Sequence, residues 1–189
     1  MRKCVTIVLI AISFNLYAQS YYIDPINLSW RDYRGIVNYD SRWQAYTFCK
    51  VAITFDEHLK SKEGIEISIK FCPDSSWVDW QVLNKIPAAN RDTLFRHELL
   101  HYYIGILVFK KLKLALQKLK FVDLKNTSKN LLEGTNFFIP FANLQKSLNA
   151  EYDTETRHGA VRERQKYWND YIMRSLDSFK KVNITPSGN

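Results

Sequence analysis

The sequence predicts an α+β fold: a small antiparallel N-terminal sheet packed on one long buried helix and a C-terminal helix. Two runs of strict alternation, at residues 43–55 and 65–71, predict the sheet. A change to helical period near Asp92 predicts the long helix. The chain has 189 residues, of which 46% are hydrophobic and 14% aromatic. That is enough to bury one core and too little for two.

Arg2 and Lys3 precede an apolar run from Val5 to Phe14, and Leu16-Tyr17-Ala18 offers a small residue for cleavage. This pattern predicts a signal peptide over residues 1–18, export to a periplasm or beyond the cell, and no stable membrane anchor. A single domain is expected over residues 19–182. A frayed tail with Pro186 and Gly188 is expected over 183–189. Loss of the leader would lower the formal net charge from +8 to +6. Many of the lysines lie between Lys110 and Lys129, interleaved with leucines, as on the solvated face of a long helix. No nucleic-acid motif accompanies them, so nucleic acid is not an expected partner. Oligomeric state is not legible.

After the leader, Ser20 to Gly35, with Pro25, reads as a short strand or extended arm ending in a turn at Gly35. In the first alternating run Ala45, Thr47, Cys49, Val51, Ile53 and Phe55 share a face. In the second, Ile65, Ile67, Ile69 and Phe71 do. With the polar stretch Asp56 to Gly64 between them, they predict an antiparallel hairpin. Cys72 falls on the opposite face from Cys49, so a disulfide between them needs a bulge or a chain exit before Pro73. Pro73 to Ser76 reads as a turn and Ser76 to Val78 as a short extended piece. Leu94, Phe95, Leu99, Tyr102, Tyr103, Ile106, Leu107 and Phe109 then recur at helical spacing around much of the circumference. They predict a buried helix, capped at Asp92 or Thr93 and running to about Leu119. A short helix is expected at 141–148. A final one is expected from Glu151 to Phe179, with Val161, Trp168, Ile172, Leu176 and Phe179 inward.

The long helix carries His97-Glu98-Leu99-Leu100-His101, a match to H-E-x-x-H. Residues four apart lie one turn above each other, so both imidazoles can grip one Zn²⁺. Glu98 then projects toward the metal's open position, where it can take a proton from a bound water. With 4 histidines and 8 glutamates in the chain, random order gives about 0.003 such matches. A catalytic zinc takes three protein ligands and a water. Ile104 and Leu107 stand where an extended glycine-and-histidine pattern would need Gly and His, which excludes that class. If the last segment is one helix, His158 lies three residues before Val161 on its inward face. The expected order for the third ligand is therefore His158, then Glu155, then Asp153. His58, in the hairpin loop, reads as surface.

Leu28-Ser29-Trp30-x-Asp32-Tyr33-x-Gly35, Ser76-Trp77-Val78, the HELLH helix, and Tyr152-Asp153-x-Glu155-Thr156-x-His158-Gly159 with Gln165 and Trp168 together carry a resemblance. The chain resembles the family catalogued as domain of unknown function 922, over roughly residues 28–176. That resemblance implies a predicted secreted zinc-dependent protease of zincin type, with no known substrate.

The expected activity is that of an exported metallopeptidase acting on a peptide or protein. Zn²⁺ would sit on His97, His101 and His158, with Glu98 as general base. Tyr152, and after it Arg157, are candidates to stabilise the oxyanion because they flank the proposed third ligand. A substrate strand could add to the Ile65–Phe71 edge. The alternative is a non-catalytic exported binding or structural protein, its metal absent or purely structural.

Overall fold

The computed structural model describes residues 4–9, 27–41, 43–56, 65–118 and 138–181. Among these the architecture is α+β. β1 (Cys4–Leu9) lies within the segment read as a leader and pairs antiparallel with β3 (Cys49–Asp56), which pairs antiparallel with β4 (Ile65–Phe71). β2 (Ala45–Tyr46) and β5 (Trp77–Val78) form a separate two-stranded ribbon. The hairpin parity is as expected: Cys49 pairs with Phe71, Val51 with Ile69 and Ile53 with Ile67. Both Cys49 and Cys72 are buried and free. Residues 10–18, the hairpin tip at 57–64 with His58, and the tail at 183–189 lie outside the described residues.

The alternating run at 43–55 is two strands rather than one. It breaks at Thr47 and Phe48 because Phe48 turns its backbone to other partners. Its N–H donates to Ser76 Oγ, and its carbonyl accepts from the Cys72 N–H. The Leu28 to Gly35 arm is also not a strand. Ser29 and Asp32 form a reciprocal capping box around a 3-10 turn at Trp30–Asp32. That turn delivers Tyr33 into a cluster of rings with Trp30, Phe71 and Phe95.

Asp79 caps a short helix missed from the sequence, α1 (Trp80–Leu83). The long helix α2 (Ala88–Lys118) begins one turn before the caps expected at Asp92 or Thr93, directly after Pro87. Thr93 instead donates its hydroxyl to the Ala89 carbonyl inside the helix. On one side of α2, Tyr102, Leu112 and Leu116 pack with Val51, Ile69 and Phe71 of the sheet. On the other, Leu100, Ile104 and Leu107 pack with Tyr152, Trp168, Ile172 and Leu176. A helix covered on both sides must be apolar around most of its circumference, as the sequence is. Lys111, Lys113 and Lys118 face outward, as expected of a solvated face.

Gly105 marks where α2 crosses the sheet most closely. A Cβ there would lie 2.4 Å from Cys49 Sγ and 3.1 Å from Ile69 Cδ1. Alanine improves helix propensity by about 1 kcal/mol. Overpacking a buried contact costs about 1–3 kcal/mol. Gly105→Ala is therefore expected to lower the urea midpoint, and an unchanged midpoint would mean that the thiol yields.

The last segment is not the single helix expected. α3 (Ile139–Thr156) ends in a left-handed turn, and α4 (Arg162–Lys181) begins after it. Arg157, His158 and Gly159 have φ of 47°, 53° and 84°. The His158 N–H closes on the Asp153 carbonyl and the Gly159 N–H on Thr156 Oγ1. Two left-handed non-glycine residues cost about 1–2 kcal/mol each, and such strain clusters at functional sites.

Candidate metal centre

α2 turns His97, Glu98 and His101 toward α3 and the β2–β3 connection. His97 and Glu98 are buried. Their neighbours set the direction of each imidazole. His97 Nδ1 lies 3.2 Å from Gln165 Oε1, and His101 Nδ1 lies 2.9 Å from Asn149 Oδ1. Amide oxygens only accept, so each Nδ1 carries the proton. Both Nε2 atoms then converge on one carboxylate oxygen. Asp153 Oδ1 is 3.1 Å from His97 Nε2 and 3.1 Å from His101 Nε2.

His158 joins them from the turn after α3, its Nδ1 3.4 Å from the same oxygen. Its ring lies against Trp43, with centroids 3.4 Å apart. Gly159 packs on the other side of the turn, and a Cβ there would stand 3.3 Å from His97 Cβ. The left-handed turn therefore both carries His158 inward and seats against His97.

These separations suit a divalent cation. Ligand bonds of about 2.0–2.1 Å in a tetrahedron put ligand atoms about 3.3–3.4 Å apart. Ligand atoms of His97, Asp153 and His158 lie within 4.8 Å of one another, as do those of His97, Glu98 and His101. Imidazole and carboxylate donors match Zn²⁺ and related borderline ions. The hydrogen-bonded Nδ1 atoms are the usual outer support of metal-binding histidines.

The sequence-based order for the third ligand is altered by this geometry. Asp153, ranked last, is central. Glu155 turns away, accepting from Trp168 Nε1 at 2.6 Å and pairing with Arg164. His158 is close, but through a turn rather than a helix face. Tyr152, expected near an oxyanion, stands behind His97 instead. Its ring stacks on His97 at 4.5 Å, and its buried hydroxyl donates to the His97 carbonyl while accepting from Gln165 Nε2 at 2.6 Å. It supports the imidazole and does not line the cavity. Arg157 is exposed in the turn.

Glu98 faces a cavity of about 360 Å³ together with His101, Asp153 and His158. Thr47 Oγ1 donates to Glu98 Oε2 at 2.6 Å, and Tyr33 OH lies 2.9 Å from Thr47 Oγ1. The break between β2 and β3 thus delivers the hydroxyl that fixes the carboxylate. Thr47 was legible as inward-facing, but nothing in the alternation marked it as a partner of Glu98. Asn149 is one helical turn before Asp153, a spacing that could have flagged both on the α2-facing side of α3.

Burial pulls the His101 pKa down, but its hydrogen bond to Asp153 and the charge of Glu98 outweigh it and raise it to about 9. Burial raises Asp153, yet its bonds to His101 and His97 hold it well below the usual carboxylate range. Both shifts favour the ion pair. The His101 contribution to metal-free stability is complete below 6.5 and lost as pH rises through about 9. That of Asp153 is present above 3.8 and lost as pH falls through its lowered value. A metal must displace the proton on His101. Its affinity is therefore expected to keep rising, about tenfold per pH unit per proton displaced, up to about pH 9. Dye competition at several pH values checks this, and a plateau near 6.5 would contradict it.

No family model, no curated protein and no solved structure matches the chain.

Proposed function

We propose that the chain is an exported zinc-dependent hydrolase, a metallopeptidase, with His97, His101 and Asp153 as ligands and Glu98 as general base. The observation that carries this reading is the pair of imidazoles, each held at Nδ1 by an amide and aimed at one carboxylate oxygen. Beside them Glu98 is fixed by Thr47 at the wall of a cavity. The resemblance to the domain of unknown function 922 family supports the same reading. Its segments converge here: Tyr33 backs Thr47, and Gln165 orients His97.

When bound, Zn²⁺ supplies a water of lowered pKa and polarises a substrate carbonyl. Glu98 takes the proton from the attacking water and returns it to the leaving nitrogen. Thr47 holds the carboxylate in line while this happens. Asn149 and Gln165 keep both Nε2 lone pairs available. His158, at the exposed side of the cluster, is the donor we assign to the substrate carbonyl oxygen. Its ring is held against that of Trp43. The substrate class is a peptide or protein in a periplasm or outside the cell. No described helix is long and apolar enough to cross a membrane. Cleavage after Ala18 would remove β1 and leave the β3–β4 hairpin on α2.

One observation favours a second reading. The ring nitrogens of His97, His101 and His158 all lie within 3.4 Å of Asp153 Oδ1, and a metal that took all four residues as ligands would make a closed structural site. The glutamate held at a cavity wall favours the enzyme. Purified protein is expected to bind one equivalent of zinc and to hydrolyse a protein substrate such as casein, with activity lost to a chelator and restored by zinc. Stoichiometric zinc with no hydrolysis of any peptide library would leave the structural staple.

A further inference from the structure

The cavity beside Glu98 has a mixed lining. Glu98, His101, Asp153 and His158 supply polar groups, with the Trp43 ring against His158. Ala45, Cys49 and Val51 of the sheet, Ala142 of α3 and the Phe48 ring supply apolar surface. The Cys49 thiol is neutral there: burial pushes its pKa up to about 12, and Gln145 Nε2 donates to its sulfur at 3.3 Å. The acidic lining residues are Glu98 and Asp153, both drawn into the cluster with Thr47 and the histidines, and Lys146 is exposed. A charged group set against Ala45, Cys49, Val51 and Ala142 would lose water without gaining an opposite charge from them. An apolar one would bury against carbon and sulfur.

Size narrows the occupant further. At about 360 Å³ the cavity lies near the lower end for ligand sites, room for one side chain rather than a folded segment. Gly105 on α2 lets Cys49 sit deep, since a Cβ there would meet its sulfur at 2.4 Å. The depth is thus set by the close crossing of helix and sheet.

We propose that this cavity is the specificity pocket of the centre and takes one large apolar side chain, aromatic or long aliphatic, next to the bond cleaved. The proposal rests on the metallopeptidase reading for its chemistry but not for its occupancy. Two experiments separate them. On metal-free protein, N-acetylphenylalaninamide is expected to shift the Trp43 indole N–H signal in ¹⁵N NMR, while N-acetylalaninamide does not. On zinc-loaded protein, a peptide library is expected to show at least tenfold higher kcat/KM for Phe, Tyr, Leu or Met than for Ala or Gly at one position flanking the scissile bond. Ala142→Phe, on the half-buried face of α3, should fill the pocket and lower kcat/KM for Phe and Tyr more than for Ala, reversing that preference. Val51→Ala should broaden it toward Trp.

No NMR response to the phenylalanine probe, or cleavage without side-chain preference that neither substitution alters, overturns the pocket and leaves the hydrolase standing. A response to the probe in a protein that binds no zinc and cleaves nothing supports the pocket and removes the peptidase.

Discussion

Replacing Asp153 with alanine is expected to weaken zinc binding more than a hundredfold, whereas His158→Ala costs about tenfold or less. Losing an outer-shell partner of a metal site typically costs about 10–100-fold, and losing a ligand costs more. Asp153 Oδ1 is the atom that both Nε2 atoms face, each at 3.1 Å. It supplies a negative charge within 3.4 Å of a ring nitrogen of all three imidazoles. His158 stands slightly farther out at 3.4 Å, on a turn, with a side chain 31% exposed. A hundredfold is about 3 kcal/mol, well within reach of a chelator-competition titration. Equal losses from the two variants would mean that both are ligands, and the closed structural site would then be the better reading. A second readout needs no metal. Without Asp153, burial is opposed by less, so the His101 pKa should fall from about 9. Imidazole NMR would follow it, and no movement would refute the assigned pairing.

The parts of this centre that could be read from sequence are those governed by a single period. His97 and His101 share a face because a helix repeats every 3.6 residues, and nothing interrupts α2 between them. The shared face of Cys49, Val51 and Ile53 and that of Ile67, Ile69 and Phe71 follow from the period of two in β3 and β4, and the pairing keeps that parity. The errors occur where one element stops and another resumes nearly in phase. Trp168, Ile172 and Leu176 keep a helical rhythm that extends backward through Val161, and helical stepping then puts His158 on the same face. The chain in fact leaves the helix at Arg157. Gly159 was the available signal, since glycine after a helical run commonly marks a left-handed end. The same false continuity put Asp153 off the face. On α3 as it exists, Asn149 and Asp153 lie one turn apart and both meet the α2 histidines. Thr47 shows the converse. Its inward direction was legible, but its contact with Glu98 spans 51 residues of chain, and no local pattern carries a contact of that range.

Glu98→Gln is expected to abolish hydrolysis while leaving zinc affinity within a few fold of the parent. Glutamine preserves length, shape and an oxygen able to accept from Thr47 Oγ1, so the side chain stays where the 2.6 Å bond now holds it. What it loses is basicity: an amide cannot take a proton from water at neutral pH. General-base assistance is worth about 10²–10⁴ in rate, so residual turnover should fall at least a hundredfold. The ligand atoms of His97, His101 and Asp153 are untouched. Thr47→Val tests the support by the opposite route. The carboxylate remains but loses its fixed donor, and Tyr33 loses its partner. Its kcat should fall about tenfold with KM little changed, and Thr47→Ser should recover most of the loss. A rate governed only by zinc would be indifferent to all three substitutions. Full activity in a zinc-loaded Glu98→Gln protein would therefore remove Glu98 as the base, and with it the main reason for reading the cavity as a catalytic site.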